Sequence, residues 1–138
     1  MSDTLCGLWI DDAGQVHGCY ATPGGGREER TEIFKPFAWL GAETPHEGVT
    51  FERLKGEGTF QWLAHAESLA TFEVFFKAVR EGAAIDVLKP YESQWLLQRR
   101  ARLYADLPFA KLRRCQLDIE TGAAEAGAFS DAKNAGDR

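Results

Sequence analysis

Two acidic residues separated by one position are the first candidates for chemistry in this chain. Asp118 and Glu120 lie in the stretch QLDIET, residues 116–121. In a strand, residues two apart project from the same face, so the two carboxylates would point one way and Leu117 and Ile119 would enter a core. Neighbouring carboxylates raise each other's pKa unless a cation lies between them. Mg²⁺ or Mn²⁺ would supply that cation, and a pair of such metals can activate water for phosphodiester cleavage.

The stretch therefore predicts a catalytic and metal-binding role for Asp118 and Glu120. The same tripeptide also occurs at solvated strand ends, where its carboxylates are inert. The tripeptide alone leaves both interpretations open.

A group of basic residues precedes this motif. The chain has a net charge of −5, which by itself argues against general nucleic-acid binding. The window from residue 99 to residue 114 nevertheless carries six cations against one acid, Asp106. Guanidinium groups suit bidentate phosphate recognition, so the window predicts a nucleic-acid contact, with a solvated basic face as the alternative. The six residues are Arg99, Arg100, Arg102, Lys111, Arg113 and Arg114.

The elements that would position these residues can be read from alternation, periodicity and turn chemistry. We predict one β-hairpin from residues 8–10 and 16–20. We predict a second hairpin from residues 49–54 and 60–65. Residues 33–40 predict an edge or bulged strand, because Pro36 lacks an N–H. Ser68 predicts the N-cap of a helix that ends near Gly82. A short strand at 84–88, a helix at 91–103 and a last strand at 115–120 follow.

We expect an α+β fold with a mostly antiparallel sheet, a packed helix and a strand–helix–strand unit like those of RNA-recognition folds.

The wider stretch LPFAKLRRCQLDIET, residues 107–121, resembles the entry to the 3′→5′ exonuclease domain of family B DNA polymerases. In that family a strand reading roughly Leu-Asp-Ile-Glu-Thr carries the first exonuclease motif. It follows an amino-terminal domain of rather more than a hundred residues. The upstream order is also similar. A strand with Lys35-Pro36-Phe37 is followed by a strand–helix–strand unit and by a segment like residues 89–97, KPYESQWLL.

The resemblance implies residues 1–112 as a polymerase amino-terminal domain and residues 113–138 as the start of a truncated ribonuclease-H-like exonuclease domain. It implies that Asp118 and Glu120 bind Mg²⁺ or Mn²⁺. The implied partners are a single-stranded DNA 3′ end and deoxynucleotides, with a monomeric protein and no membrane. The later exonuclease motifs and the polymerase palm lie downstream in the family, so the isolated chain is expected to be inactive.

Two alternatives stay open. One is a truncated stand-alone exonuclease of the DEDD type. The other is a small non-catalytic nucleic-acid-binding module in which Asp118 and Glu120 are inert.

Composition and the amino-terminal sequence indicate the class of protein and its cellular compartment. The chain has 138 residues, 44% of them hydrophobic and 27% charged, which is a globular balance. No run approaches the roughly 20 apolar residues that cross a bilayer, and residues 1–4 do not begin a signal peptide. A cytoplasmic protein is expected. The three cysteines predict reduced thiols rather than a disulfide framework, and the scattered histidines His17, His46 and His65 predict structural or surface roles.

Overall fold

The computed structural model describes residues 2–123 and residue 133. The chain divides into two compact units, Met1–Leu107 and Pro108–Arg138. The first unit contains two antiparallel sheets and two α-helices, which confirms the expected α+β class. The sequence predicted a boundary at residues 112 and 113, and the units divide slightly earlier, at Leu107.

The first sheet is a three-stranded meander of β1 (Thr4–Ile10), β2 (Gln15–Ala21) and β3 (Arg27–Ile33), in that order. The predicted hairpin of β1 and β2 is confirmed, with Ile10 opposite Val16. Its turn ends at Gly14, where φ is +80° and an added Cβ would lie 2.7 Å from the Cβ of Leu69. Glycine is therefore required at this position both by the backbone conformation and by the close approach of the neighbouring side chain.

Strand β3 was not predicted, because its sequence REERTEI has five charged side chains and no apolar alternation. It forms because it pairs with β2 along its whole length, from Ala21 opposite Arg27 to Gln15 opposite Ile33. Arg30 forms ion pairs with Glu28 on the same strand and with Asp3, which precedes β1. Cross-strand pairing therefore overrides a sequence that indicates a loop.

The second sheet contains β4 (Phe37–Leu40), β5 (Val49–Arg53), β6 (Trp62–Ala66) and β7 (Ile85–Asp86), in the order β5-β6-β4-β7. The predicted hairpin of β5 and β6 is confirmed. The prediction of a single edge or bulged strand over residues 33–40 is wrong, because Ile33 ends β3 and β4 lies inside the second sheet, between β6 and β7. Pro36 precedes β4 and its carbonyl accepts a hydrogen bond from the Ala66 amide at 2.9 Å, so its missing N–H interrupts no ladder.

Helix α1 (Leu69–Val79) begins where predicted, because the Ser68 side chain accepts a hydrogen bond from the Thr71 amide at 3.1 Å. It connects β6 to β7, and both of these strands pair antiparallel with β4. The predicted strand–helix–strand unit is therefore present, although β7 is shorter than the predicted residues 84–88. The buried side chains of α1, which include Phe72 and Phe75, pack with Ala38, Leu40 and Ala64 in one core.

Helix α2 (Tyr91–Arg99) packs on the first sheet. Trp95 joins Leu5, Val16 and Phe34 in a second core. The predicted end at Leu103 is wrong: the helix stops at Arg99, because Arg100 adopts a left-handed conformation with φ of 50°. The amide of Arg100 accordingly bonds to the carbonyls of the preceding turn, as in other left-handed helix caps.

Gln94 connects α2 to the backbone of two other segments. Its side chain is completely buried, with a relative exposure of 0%. Its Oε1 accepts a hydrogen bond from the Phe37 amide at 2.9 Å, and its Nε2 donates one to the Leu88 carbonyl at 3.0 Å. A buried amide is tolerated here because both of its polar ends are satisfied.

The second unit has little regular structure within its described residues. A short 3-10 turn at Phe109–Lys111 is followed by residues 112–123, which form neither helix nor strand. The predicted strand over residues 115–120 is therefore absent. A strand needs a neighbouring strand to satisfy its backbone groups, and the described residues supply none to this stretch. The predicted burial of Leu117 and Ile119 is also wrong, since they are 81% and 72% exposed.

Candidate nucleic-acid and metal site

Asp118 and Glu120 are both exposed in the second unit, on a segment without regular secondary structure. Within the described residues, no group of three or more histidine, cysteine or acidic side chains could hold a metal ion.

Arg99 is the member of the basic group with the clearest structural role. Its guanidinium forms an ion pair with Glu32 on β3 and lies 5.7 Å from the centre of the Trp95 ring. Glu32 also accepts a hydrogen bond from the Trp95 indole at 2.7 Å. Arg99 thus attaches α2 to β3, and the carboxylate of Glu32 largely neutralises its charge.

Arg100 and Arg102 lie just beyond the end of α2 and are exposed. Both line a shallow groove that also contains Leu88, Leu96 and Leu97. Leu97 is 58% exposed. The groove therefore combines an apolar floor with two guanidinium groups, and these two arginines are better placed for phosphate contact than Arg99.

Lys111, Arg113 and Arg114 belong to the second unit and are exposed. The guanidinium of Arg114 lies 5.1 Å from the centre of the Phe109 ring, a cation–π contact that leaves the edge of the guanidinium available to an anion. The six predicted basic residues are thus divided between the two units, with Arg99, Arg100 and Arg102 in the first.

A cleft in the first unit was not predicted from the sequence. Its volume is about 670 Å³ and it is lined by β3, α2 and the β5–β6 hairpin. Both signs of charge line it: Lys35 and Arg99 are basic, and Glu32 and Glu67 are acidic. Glu32 is the residue that sequence reasoning missed here, because its partners Trp95 and Arg99 are distant in the chain.

His17 also has a more defined environment than the sequence suggested. Its imidazole stacks on the ring of Trp9, with centroids 4.1 Å apart and planes inclined by 9°. Its Nε2 lies 3.0 Å from an oxygen of Asp11, and its Nδ1 lies 3.0 Å from an oxygen of Glu29. The hydrogen bond to Asp11, and then that to Glu29, raise the pKa of His17 above its ordinary value of 6.5. The hydrogen bond from His17 lowers the pKa of Asp11 below 3.8.

Known proteins show no significant similarity to this chain. No protein-family model matches the chain, and neither a curated protein nor a solved structure matches it significantly. Among the described residues, no helix is long and apolar enough to cross a membrane.

Proposed function

We propose that this chain is the amino-terminal part of a family B-type DNA polymerase with a proofreading 3′→5′ exonuclease. In this proposal the unit Met1–Leu107 is the amino-terminal domain, and its β6–α1–β7 unit is the RNA-recognition-like element. Residues 115–120 would form the first strand of a ribonuclease-H-like exonuclease sheet once the strands that follow in the family pair with them. The protein would act on DNA in the cytoplasm as a monomer.

The exposed motif of the second unit is the observation that carries the proposal. Leu117 and Ile119 are apolar, largely exposed and interleaved with two exposed carboxylates. Strand residues two apart share a face. If this stretch joined a sheet, the two apolar side chains would lie on one face, where they could be buried, and the two acids would lie together on the other face. This is the pattern of a sheet strand beside a metal site.

Asp118 and Glu120 would each contribute carboxylate oxygens to Mg²⁺ or Mn²⁺. Such metals, when bound, activate a water and stabilise the leaving oxygen of a phosphodiester. The remaining ligands would come from the later acidic motifs of the family. Arg100 and Arg102 of the first unit would hold phosphates of the single strand. Taken by itself, the second unit offers Lys111, Arg113 and Arg114 for contacts of the same kind. Deoxynucleotides would be substrates of the polymerase part.

Degradation of a 5′-labelled single-stranded oligonucleotide with Mg²⁺ or Mn²⁺ tests the proposal. The 138-residue chain should leave the DNA intact, whereas a protein extended past Arg138 by the coding sequence should shorten it from the 3′ end. Asp118→Asn and Glu120→Gln should each reduce that activity by about 100-fold or more, because each removes charge from a metal ligand. Glu57→Gln, which removes the same charge from an exposed loop, should not change it.

Two outcomes would contradict the proposal. One is robust, Asp118-dependent 3′→5′ degradation by the 138-residue chain, which would make the metal site complete without later motifs. The other is an extended protein whose activity is unaffected by both substitutions. Binding of DNA without any degradation by the extended protein would favour the non-catalytic binding module.

A further inference from the structure

His17 makes two contacts that one neutral imidazole cannot satisfy together. Each ring nitrogen lies 3.0 Å from a carboxylate oxygen, of Asp11 on one side and of Glu29 on the other. An ionised carboxylate only accepts hydrogen bonds, whereas a neutral imidazole carries a single N–H. In a neutral His17, one of the two contacts would bring a nitrogen lone pair against an oxygen lone pair. Both contacts are favourable only when both nitrogens carry protons.

We propose that His17 is an imidazolium in the folded protein and acts as a proton-dependent clasp of the first sheet, joining the β1–β2 turn to the edge strand β3. Asp11 lies in that turn and Glu29 lies on β3, so the two arms of the clasp hold segments on opposite sides of β2. Loss of the proton breaks one of the two hydrogen bonds, because the neutral ring can donate to only one carboxylate.

The surroundings of the ring favour the charged form. Trp9 on β1 covers one face of the imidazole, a geometry in which an aromatic ring attracts a cation. Asp11 faces His17 from the turn and Glu29 faces it from β3. On β2 itself, Cys19 lies on the same face two residues away, opposite Glu29. The pKa of Asp11 is lowered, which keeps this partner an acceptor rather than a carboxylic acid.

The direction of the pH dependence follows from the two shifts. The folded-state pKa of His17 is raised above 6.5, so its stabilisation is complete below 6.5 and is lost as the pH rises through the folded value. The folded-state pKa of Asp11 is lowered below 3.8, so its stabilisation is complete above 3.8 and is lost as the pH falls through the folded value. The clasp is therefore closed below pH 6.5, and one of its two hydrogen bonds is lost as the pH rises through the folded-state pKa of His17.

Nitrogen-15 NMR of the histidine rings tests the proposal on the intact chain. The His17 signals, assigned by their absence in His17→Gln, should show two protonated nitrogens at pH 6.5 and should titrate above that pH. Asp11→Asn and Glu29→Gln should each lower the midpoint. Glu28→Gln is the matched control: it removes the same charge from the adjacent residue of β3, whose side chain projects to the other face.

A ring with one N–H at pH 6.5 in the wild-type chain would overturn the proposal, as would equal shifts in Glu29→Gln and Glu28→Gln. Denaturant unfolding gives a second readout that does not depend on NMR. The stability difference between the wild type and His17→Gln should shrink as the pH rises from 6 to 9. A constant difference would mean that His17 acts through packing on Trp9 and not through its proton.

Discussion

Replacing Gln94 by methionine tests whether its two buried hydrogen bonds hold the first unit together. Methionine has nearly the same length and packs in an apolar site, but it can neither donate to the Leu88 carbonyl nor accept from the Phe37 amide. The substitution therefore removes two hydrogen bonds while leaving the volume of the side chain almost unchanged.

The expected loss follows from the burial of the site. A buried donor or acceptor that loses its partner costs about 1–3 kcal/mol, so two such groups cost about 2–6 kcal/mol, and the cost is lower if the Leu88 carbonyl regains water. A domain of this size is stable by only about 5–15 kcal/mol. At about 4 °C per kcal/mol for roughly 100 residues, the melting temperature should fall by about 8–24 °C.

Urea unfolding followed by circular dichroism measures this loss, and helix α2 offers a matched control. Gln98 lies one turn further along, is exposed, and donates a hydrogen bond to the Lys35 carbonyl at 2.9 Å. Gln98→Met removes a bond of the same kind from a site open to water, so it should cost less than about 0.5 kcal/mol. If the two variants lose similar stability, burial does not set the value of the Gln94 bonds and the reasoning is refuted.

Two further predictions concern the first turn and the basic group. Gly14→Ala should destabilise the chain by about 1–3 kcal/mol in the same assay, because φ is positive there and the new Cβ would meet the N-terminal residue of α1. Gly24→Ala, which meets nothing within 4 Å, should change little, and equal losses would contradict the argument. In single-stranded DNA binding, Arg100→Ala with Arg102→Ala should reduce the slope of log affinity against log salt by about 1.4, two contacts at about 0.7 each. Arg99→Ala should leave the slope unchanged, and a reduced slope for Arg99→Ala would reverse the assignment.

Elements specified by local chemistry could be predicted from the sequence. The β1–β2 and β5–β6 hairpins are bounded by turn residues, and α1 combines the Ser68 cap with apolar residues at helical spacing. In each case the residues that determine the element lie within it or next to it. Binary patterning and turn chemistry are then sufficient.

Elements specified by distant partners could not be predicted in the same way. Strand β3 has a charged sequence and exists because β2 supplies its hydrogen bonds and Asp3 pairs with Arg30. Helix α2 ends at Arg100 in a left-handed conformation that favours glycine, so its sequence gave no stop signal there. The strand depends on pairing with another strand and the helix end depends on a backbone conformation, and a local sequence pattern records neither.

The same distinction applies to the candidate site. Arg99 belongs to the basic group by position, yet Glu32, which precedes it by 67 residues, engages its charge. His17 was expected to have a structural or surface role. Its pair of carboxylate partners can be identified only when β3 is placed beside β2. Sequence spacing therefore identified candidate residues, whereas the pairing of each charge required the fold.

Under the proposed function, the strand and the metal site of the exonuclease would form together. Burying a leucine or isoleucine side chain that is now largely exposed stabilises a protein by about 1.5–3 kcal/mol, so a sheet that covers Leu117 and Ile119 gains from both. The same pairing would direct Asp118 and Glu120 to one face, where their mutual repulsion opposes it until a cation binds. Burial of the apolar pair would therefore offset the repulsion, and metal binding would reinforce the pairing. For this reason, Mg²⁺ or Mn²⁺ affinity should appear only when the strands that complete the sheet are present, and not as a property of the acidic pair alone.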